Sequence, residues 1–198
     1  TDVQNMWIHL TTHNRTANAY NEKQMERLKV SEHTFTAKIE GVFPEYSYPT
    51  DVTLNLKVGA QVMFVKNDSS PEKRYYNGKM GIVDDIVSEG IVVKTRNETT
   101  AATEYIVVST EVWENIKYSL DEKTKEIKEE VEGVFRQYPL RLAWAITVHK
   151  SQGLTFSHAV LDVNHSFAHG QVYVALSRCR SLEGLVLSSP LNTRSIIT

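Results

Sequence analysis

Apolar residues along this chain follow two rhythms, and the change of rhythm divides it into two kinds of structure. The chain opens with an apolar run, Met6 to Leu10, then the polar Thr11-Thr12-His13-Asn14. In the following stretch, Arg15 to Leu28, Ala17, Tyr20, Met25 and Leu28 fall roughly on one side. This pattern predicts a strand followed by a helix, which Thr12 or Asn14 would cap. The end of the chain repeats the grammar: Leu142 to Val148 and Ala159 to Val163 read as buried strands, Gln171 to Arg178 as a helix and Leu185 to Leu187 as a last strand. Strands alternating with helices predict an α/β domain built on a parallel, doubly wound sheet.

Between about Lys57 and Gln137 the pattern shortens into β runs with turn chemistry. Gln61 to Val65, Gly81 to Val87, Ile91 to Thr95 and Tyr105 to Val108 are the runs, with Asn77-Gly78 and Glu89-Gly90 as turn points. Val112 to Tyr118 continues the β character, and the charged segment Asp121 to Glu132 reads as a hairpin tip or a short helix. The expected organisation is a discontinuous α/β domain, residues 1–56 and 138–198, carrying a small antiparallel barrel at 57–137. Thr34 to Asp51, with Pro44 and Pro49, reads as a packed but irregular connection.

Composition narrows the class. The chain has 198 residues, 41% of them hydrophobic and 23% charged, ordinary values for a globular protein. No apolar run approaches the ~20 residues of a membrane-spanning helix. The single cysteine, Cys179, forms no internal disulfide and no Cys-x-x-Cys pair, which fits a reducing, intracellular setting, cytoplasm or nucleoid in a bacterium. The chain begins at Thr1 rather than Met, which reads as the start of a fragment. The net charge of −2 is unevenly spread: from Gly133 onward six basic residues face only Asp162 and Glu183, a local +4 that leaves −6 for the rest. The C-terminal third is therefore the expected polyanion-facing part, with chance imbalance on a solvated surface as the plainer reading.

Three segments carry candidate chemistry. In the first, Ala145 to Thr155, an apolar strand ends in Thr147, His149, Lys150, Ser151 and Gln152, followed by Gly153. Ligands in open α/β sheets bind beyond the carboxyl ends of strands, and hydroxyls, an ammonium and an imidazole suit phosphate oxygens there. Gly153 would permit close backbone approach. The plainer reading is a polar exit with Lys150 in solvent. The second, Gly170 to Arg180, sets Ser177 and Arg178 near the end of an apolar helix. An arginine there can offer positive charge to a transferring phosphoryl group, or simply suit the helix dipole. The third, Thr12-His13-Asn14, would hold a phosphate or cap the next helix.

Taken together, these strings resemble a known family. AITVHKSQGLTF is similar to the fifth, and QVYVALSRCRSLEGL to the sixth, motif of superfamily 1 helicases of the PIF and RecD-like branch. Arg136 to Trp144, Val58 to Asn67 and Asn77 to Val83 are similar to what such proteins carry around an inserted SH3-like barrel. The resemblance implies a second RecA-like domain of the P-loop NTPase type, lacking the P-loop. It implies Arg178 as an arginine finger, with Gln152 and Gly153 on the nucleotide side of a cleft. Thr147, His149, Lys150, Ser151, Thr12, His13 and Asn14 would hold the backbone of single-stranded DNA. ATP and Mg2+ would be bound mainly by an N-terminal RecA-like domain of the same parent chain, in a monomer away from any membrane.

Other constellations are weaker. No G-x-x-x-x-G-K-[ST] phosphate loop is present: Gly78-Lys79 is followed by Met80, a hairpin turn, so the segment alone is expected not to hydrolyse ATP. Ile82-Val83-Asp84-Asp85 reads as a β-turn rather than a magnesium-binding strand end. His165 and His169 have the spacing of a zinc pair, but no third ligand is evident and no metal site is expected. Ser151, His149 and Asp162 supply hydrolase residue types without a G-x-S-x-G elbow. A non-catalytic binding module built on the barrel is the alternative in a different class, and salt-dependent binding without ATP turnover would fit it.

Overall fold

The structure, a computed structural model, describes residues 2–120, 127–162 and 171–189. Strand β1 (Ile8–Thr11) is followed by helix α1 (Asn14–Arg27). The antiparallel part then contributes β2 (Glu32–Thr36), β3 (Lys38–Gly41), β4 (Thr53–Lys57), β5 (Gln61–Phe64), β6 (Met80–Val87), β7 (Gly90–Arg96) and β8 (Thr103–Val108). A long hairpin follows, β9 (Glu111–Leu120) and β10 (Ile127–Gln137), then β11 (Leu140–Leu142). The chain closes with β12 (Ala145–Thr147), β13 (Ala159–Leu161), α2 (Gln171–Leu176) and β14 (Leu185–Leu187).

Four strands from the two ends of the chain form one parallel sheet, as the alternating strands and helices predict, and its order is β12-β1-β13-β14. The rest pair antiparallel: β11-β5-β6-β7-β8, β3-β10-β9 and β2-β4. The five-stranded sheet runs from edge to edge with no pairing of β8 to β11, so among the described residues it is open rather than a closed barrel.

Several elements differ from expectation, each for a local reason. The apolar run Leu142 to Val148 is two strands: β11 pairs with β5 in the antiparallel sheet, and after Ala143-Trp144 the chain crosses to pair β12 with β1. The stretch expected as an irregular connection holds β2 and β3, whose residues are almost all exposed and so carry no apolar alternation. Ile82 to Asp85 lies within β6 rather than in a turn, and the register shift against β7 between Val83 and Asp85 makes Asp84 the extra residue of a bulge. Residues 127–132 of the charged segment belong to β10, which settles the choice for a hairpin strand over a helix there.

Burial follows the same division. Leu56, Val62, Phe64, Val93 and Leu140 lie in the core of the antiparallel part, and Ile8, Leu10, Ile146, Phe156 and Leu161 in that of the parallel sheet. The cores exchange one methionine each: Met25 of α1 enters the first and Met63 of β5 the second. Buried Gln61 fastens the two parts, its Nε2 donating to the carbonyls of Trp7 (2.9 Å) and Ala143 (2.8 Å). No described helix is long and apolar enough to cross a membrane.

Candidate nucleotide and nucleic-acid interface

Strands β1 and β12 are parallel neighbours, with Leu10 opposite Ile146 and Thr11 opposite Thr147, so both leave the sheet at the same carboxyl edge. The Val148 N–H donates to the Thr11 carbonyl at 2.9 Å, extending the pairing past the strand end. Thr12 to Asn14 and Thr147 to Ser151 are thereby brought side by side, two loops that are 130 residues and more apart in sequence.

β12 is an edge strand, and its open side is covered by a side chain. Asn21 of α1 is buried, its Nδ2 donating to the Ala145 carbonyl at 2.9 Å and its Oδ1 accepting from the Ala145 N–H at 2.8 Å. One amide thus substitutes for a neighbouring strand at Ala145, the first residue of β12. Sequence reasoning missed Asn21. A signal existed, since Ala17, Asn21 and Met25 recur every four residues on the buried face of α1.

At the β1 end, His13 is the N-cap of α1 and its side chain makes no capping bond, contrary to the expected cap from Thr12 or Asn14. The reason is local: the helix begins at Asn14, one residue earlier than expected, and the Thr12 hydroxyl is engaged with His13 Nδ1 at 2.7 Å. His13 and Asn14 are exposed. The uncapped helix start therefore faces solvent beside the loop after β12, a place suited to phosphate oxygens.

At the β12 end the residues divide. Thr147 and Ser151 are buried; Thr147 Oγ1 accepts from the Lys150 N–H at 3.3 Å, and the Ser151 hydroxyl donates to the Val148 carbonyl at 2.7 Å. Both shape the loop, and the Ser151 hydroxyl is no free nucleophile. His149 and Lys150 are exposed. Partial burial and then Arg141 push the Lys150 ammonium below its ordinary pKa, with Asp51 opposing. Arg141, also missed from sequence, gives one hydrogen bond to the Pro49 carbonyl at 3.3 Å and keeps a buried Nε without a partner. Lys150, Arg141, Thr147 and Asn14 line a cleft of about 270 Å³ beside α1. Gln152 and Gly153 follow; Gly153 has φ +77° with nothing within 4 Å of where a Cβ would sit, so its backbone lies open to approach.

Arg178 lies just past α2, and its guanidinium turns onto its own surroundings: Nε donates to the Val174 carbonyl at 3.1 Å, Nη1 to the Leu154 carbonyl at 3.3 Å and Nη2 to the Ser177 hydroxyl at 2.9 Å. The bond to Leu154 joins it to the loop of Gln152 and Gly153. The segment is fixed by an isolated bridge, the Phe156 N–H donating to the Arg178 carbonyl at 2.7 Å and the Arg180 N–H to the Phe156 carbonyl at 3.0 Å. His165 and His169, the pair with zinc-type spacing, lie outside the described residues. Among the described residues no group of three His, Cys, Asp or Glu is placed to hold a metal ion.

Comparison with known proteins adds the following. No family model matches the chain. It is 39% identical over 150 residues to the ATP-dependent DNA helicase Pif1 of Bdellovibrio bacteriovorus, covering 75% of this chain and 30% of that protein. The solved structure of unliganded Pif1 from Bacteroides is 40% identical, with a TM-score of 0.86, over 100% of this chain and 44% of that one. A Bacteroides Pif1 in complex with ADP-AlF3 and ssDNA is 39% identical with a TM-score of 0.73, again over 100% of this chain and 44% of the other. The chain spans 26% to 30% of the length of curated bacterial and rat Pif1 relatives.

Proposed function

Since the chain belongs to the Pif1-like helicases, we propose that it is the C-terminal, second RecA-like portion of an ATP-dependent DNA helicase, coupling ATP hydrolysis to movement along single-stranded DNA. The observation that carries the reading is the meeting of two strand-end loops at one sheet edge, one of them bonded to Arg178 through Leu154. A loop so placed feels nucleotide on one side and DNA on the other.

In this reading His149 and Lys150, with Thr12, His13 and Asn14 at the uncapped start of α1, hold the DNA backbone, while buried Thr147 and Ser151 hold the loop that presents them. Phosphates are met by exposed cations and free N–H groups, contacts that position the strand without reading its sequence. Gln152, Gly153 and Arg178 face the nucleotide. Arg178 exchanges its three local hydrogen bonds for the γ-phosphate when the cleft closes, where its charge stabilises the transferring phosphoryl group. The phosphate loop and the ligands of Mg2+ are assigned to an N-terminal RecA-like domain of the parent chain, as membership of the helicase family implies. Closure on ATP and reopening after hydrolysis then move this portion along the strand. Residues 57–137 are assigned to the family's SH3-like insert, and residues 1–56 and 138–198 to the RecA-like domain. A second apolar core supports a separate antiparallel unit, although Met25, Leu54, Leu56 and Leu140 carry that core past the bounds 57–137. The working species is assigned as a monomer within the cell.

The test is Arg178→Ala in the full-length protein. ATP turnover should fall about 10³-fold, the scale of arginine fingers, with DNA affinity little changed. Unchanged turnover removes the assignment.

A further inference from the structure

The Arg178 segment is held from a second direction, by the antiparallel part. Arg180, two residues beyond Arg178, donates from Nη2 to Glu98 Oε2 at 2.8 Å. Glu98 sits in the turn between β7 and β8, and that turn is ordered by Asn97, whose Oδ1 accepts from the N–H groups of Thr99 and Thr100, each at 2.9 Å. The other carboxylate oxygen of Glu98 accepts from the Tyr76 hydroxyl. Tyr76 itself precedes the Asn77-Gly78 turn, and Gly78 packs so closely on Leu154 that an added Cβ would lie 2.8 Å from its Cδ2. Leu154 is the residue whose carbonyl receives Arg178. The antiparallel part therefore reaches both ends of the arginine's setting: Gly78 against Leu154, and Glu98 against Arg180.

Charge and burial agree with a directed contact. The Tyr76 hydroxyl and then Arg180 hold the Glu98 carboxyl below the usual carboxylate range. Burial, and then Glu98, push Tyr76 up to about 12. Arg180 is raised by the same carboxylate. Arg180 and Glu98 side chains are each about half exposed, at 49% and 47%, so the pair adds little to overall stability. Its consequence is geometric: it fixes the backbone from which Arg178 projects.

We propose that Glu98, ordered by Tyr76, is a positioning residue for Arg178, acting through Arg180, so that the antiparallel part sets the efficiency of ATP turnover without touching nucleotide. This rests on the reading of Arg178 given above. Misplacing a catalytic group by a fraction of its reach is costly even where the fold is intact.

The experiment compares the full-length protein carrying Glu98→Arg, Arg180→Glu, both together, Tyr76→Phe and, separately, Arg178→Ala, in DNA-stimulated ATP turnover. Each single charge change is expected to lower kcat by about fivefold with KM for ATP and affinity for single-stranded DNA nearly unchanged. The double exchange should recover most of the loss, and Tyr76→Phe should cost less than either single change. Recovery in the exchange shows that the two residues act through each other, since independent lesions add, and a loss confined to kcat with KM and DNA affinity kept is what a merely structural role would not give. The proposal is overturned if the single changes leave kcat unaltered while Arg178→Ala abolishes turnover, or if the exchange is no better than the sum of its parts. Loss of turnover on Arg180→Glu with no effect of Arg178→Ala would instead strike the underlying reading of Arg178.

Discussion

The antiparallel part and the carboxyl edge of the parallel sheet differ in how their cations are held. In the antiparallel part four cations form ion pairs, Lys66 with Glu111, Arg74 with Asp68, Lys79 with Glu104 and Lys117 with Glu132, while Lys94, Arg96 and Arg136 form none with a described residue. At the carboxyl edge of the parallel sheet, exposed His149 and Lys150 form no ion pair with any described residue, and Arg141 keeps a buried Nε without a partner. The cations proposed above to face DNA are thus among those that folding leaves unpaired, which agrees with that reading and narrows it further than the overall charge of −2 does.

The comparison breaks most visibly at the strand that carries the open charges. Asn21→Leu would remove both bonds to Ala145 and leave its buried N–H and C=O without partners, costing on the order of 3 kcal/mol. Hydrogen exchange would then show the Ala145 amide losing protection, while β6 and β7 keep theirs. Retained protection at Ala145 would mean that the edge of β12 is held otherwise.

Within the antiparallel part, Asp68 is the group whose matched charge matters most. Burial alone would raise its carboxyl, but the Ser70 N–H (2.9 Å), the Arg74 N–H (2.9 Å) and Arg74 Nε (3.1 Å) outweigh it and bring it down to about 2. A depressed carboxylate contributes stability above its unfolded value, and that contribution is lost as pH falls toward its folded one. Wild-type stability should therefore drop by on the order of 2 kcal/mol between about pH 4 and 2, beyond the drop seen in Asp68→Asn. Parallel urea midpoints for the two proteins would remove the point.

Two glycines sharpen the contrast further. Gly153 (φ +77°) at the strand end and Gly78 (φ +98°) in the antiparallel part both need a left-handed backbone, but only Gly78 has a neighbour within contact, Leu154 Cδ2. Gly153→Ala should cost about 1 kcal/mol from backbone strain alone. Gly78→Ala should cost more in the same unfolding measurement, because strain and a clash add.

How much of this was legible depended on whether residue type changed where structure did. The strand ends were readable because Thr12 to Asn14 and Thr147 to Gln152 break abruptly from apolar runs, and the parallel sheet followed from the alternation of strand and helix. The split of Leu142 to Val148 between two sheets was not, because an apolar run looks the same whichever partner it finds. β3 lies exposed on every residue and left no pattern. Asn21 was hidden by its type, since a lone amide in a helix is ordinarily solvated. The parking of Arg178 on Leu154 and the Glu98–Arg180 contact depend on tertiary approach alone.

The central claim is a division of labour around one loop, with Lys150 on the DNA side and Arg178, bonded to the loop through Leu154, on the nucleotide side. The most direct test is the salt dependence of single-stranded DNA affinity for the full-length protein, its Lys150→Ala variant and its Arg178→Ala variant. The account predicts that Lys150→Ala weakens binding and flattens the slope by about 0.7, one single-strand phosphate contact, while Arg178→Ala leaves the slope unchanged. A slope that changes with Arg178 and not with Lys150 would contradict it.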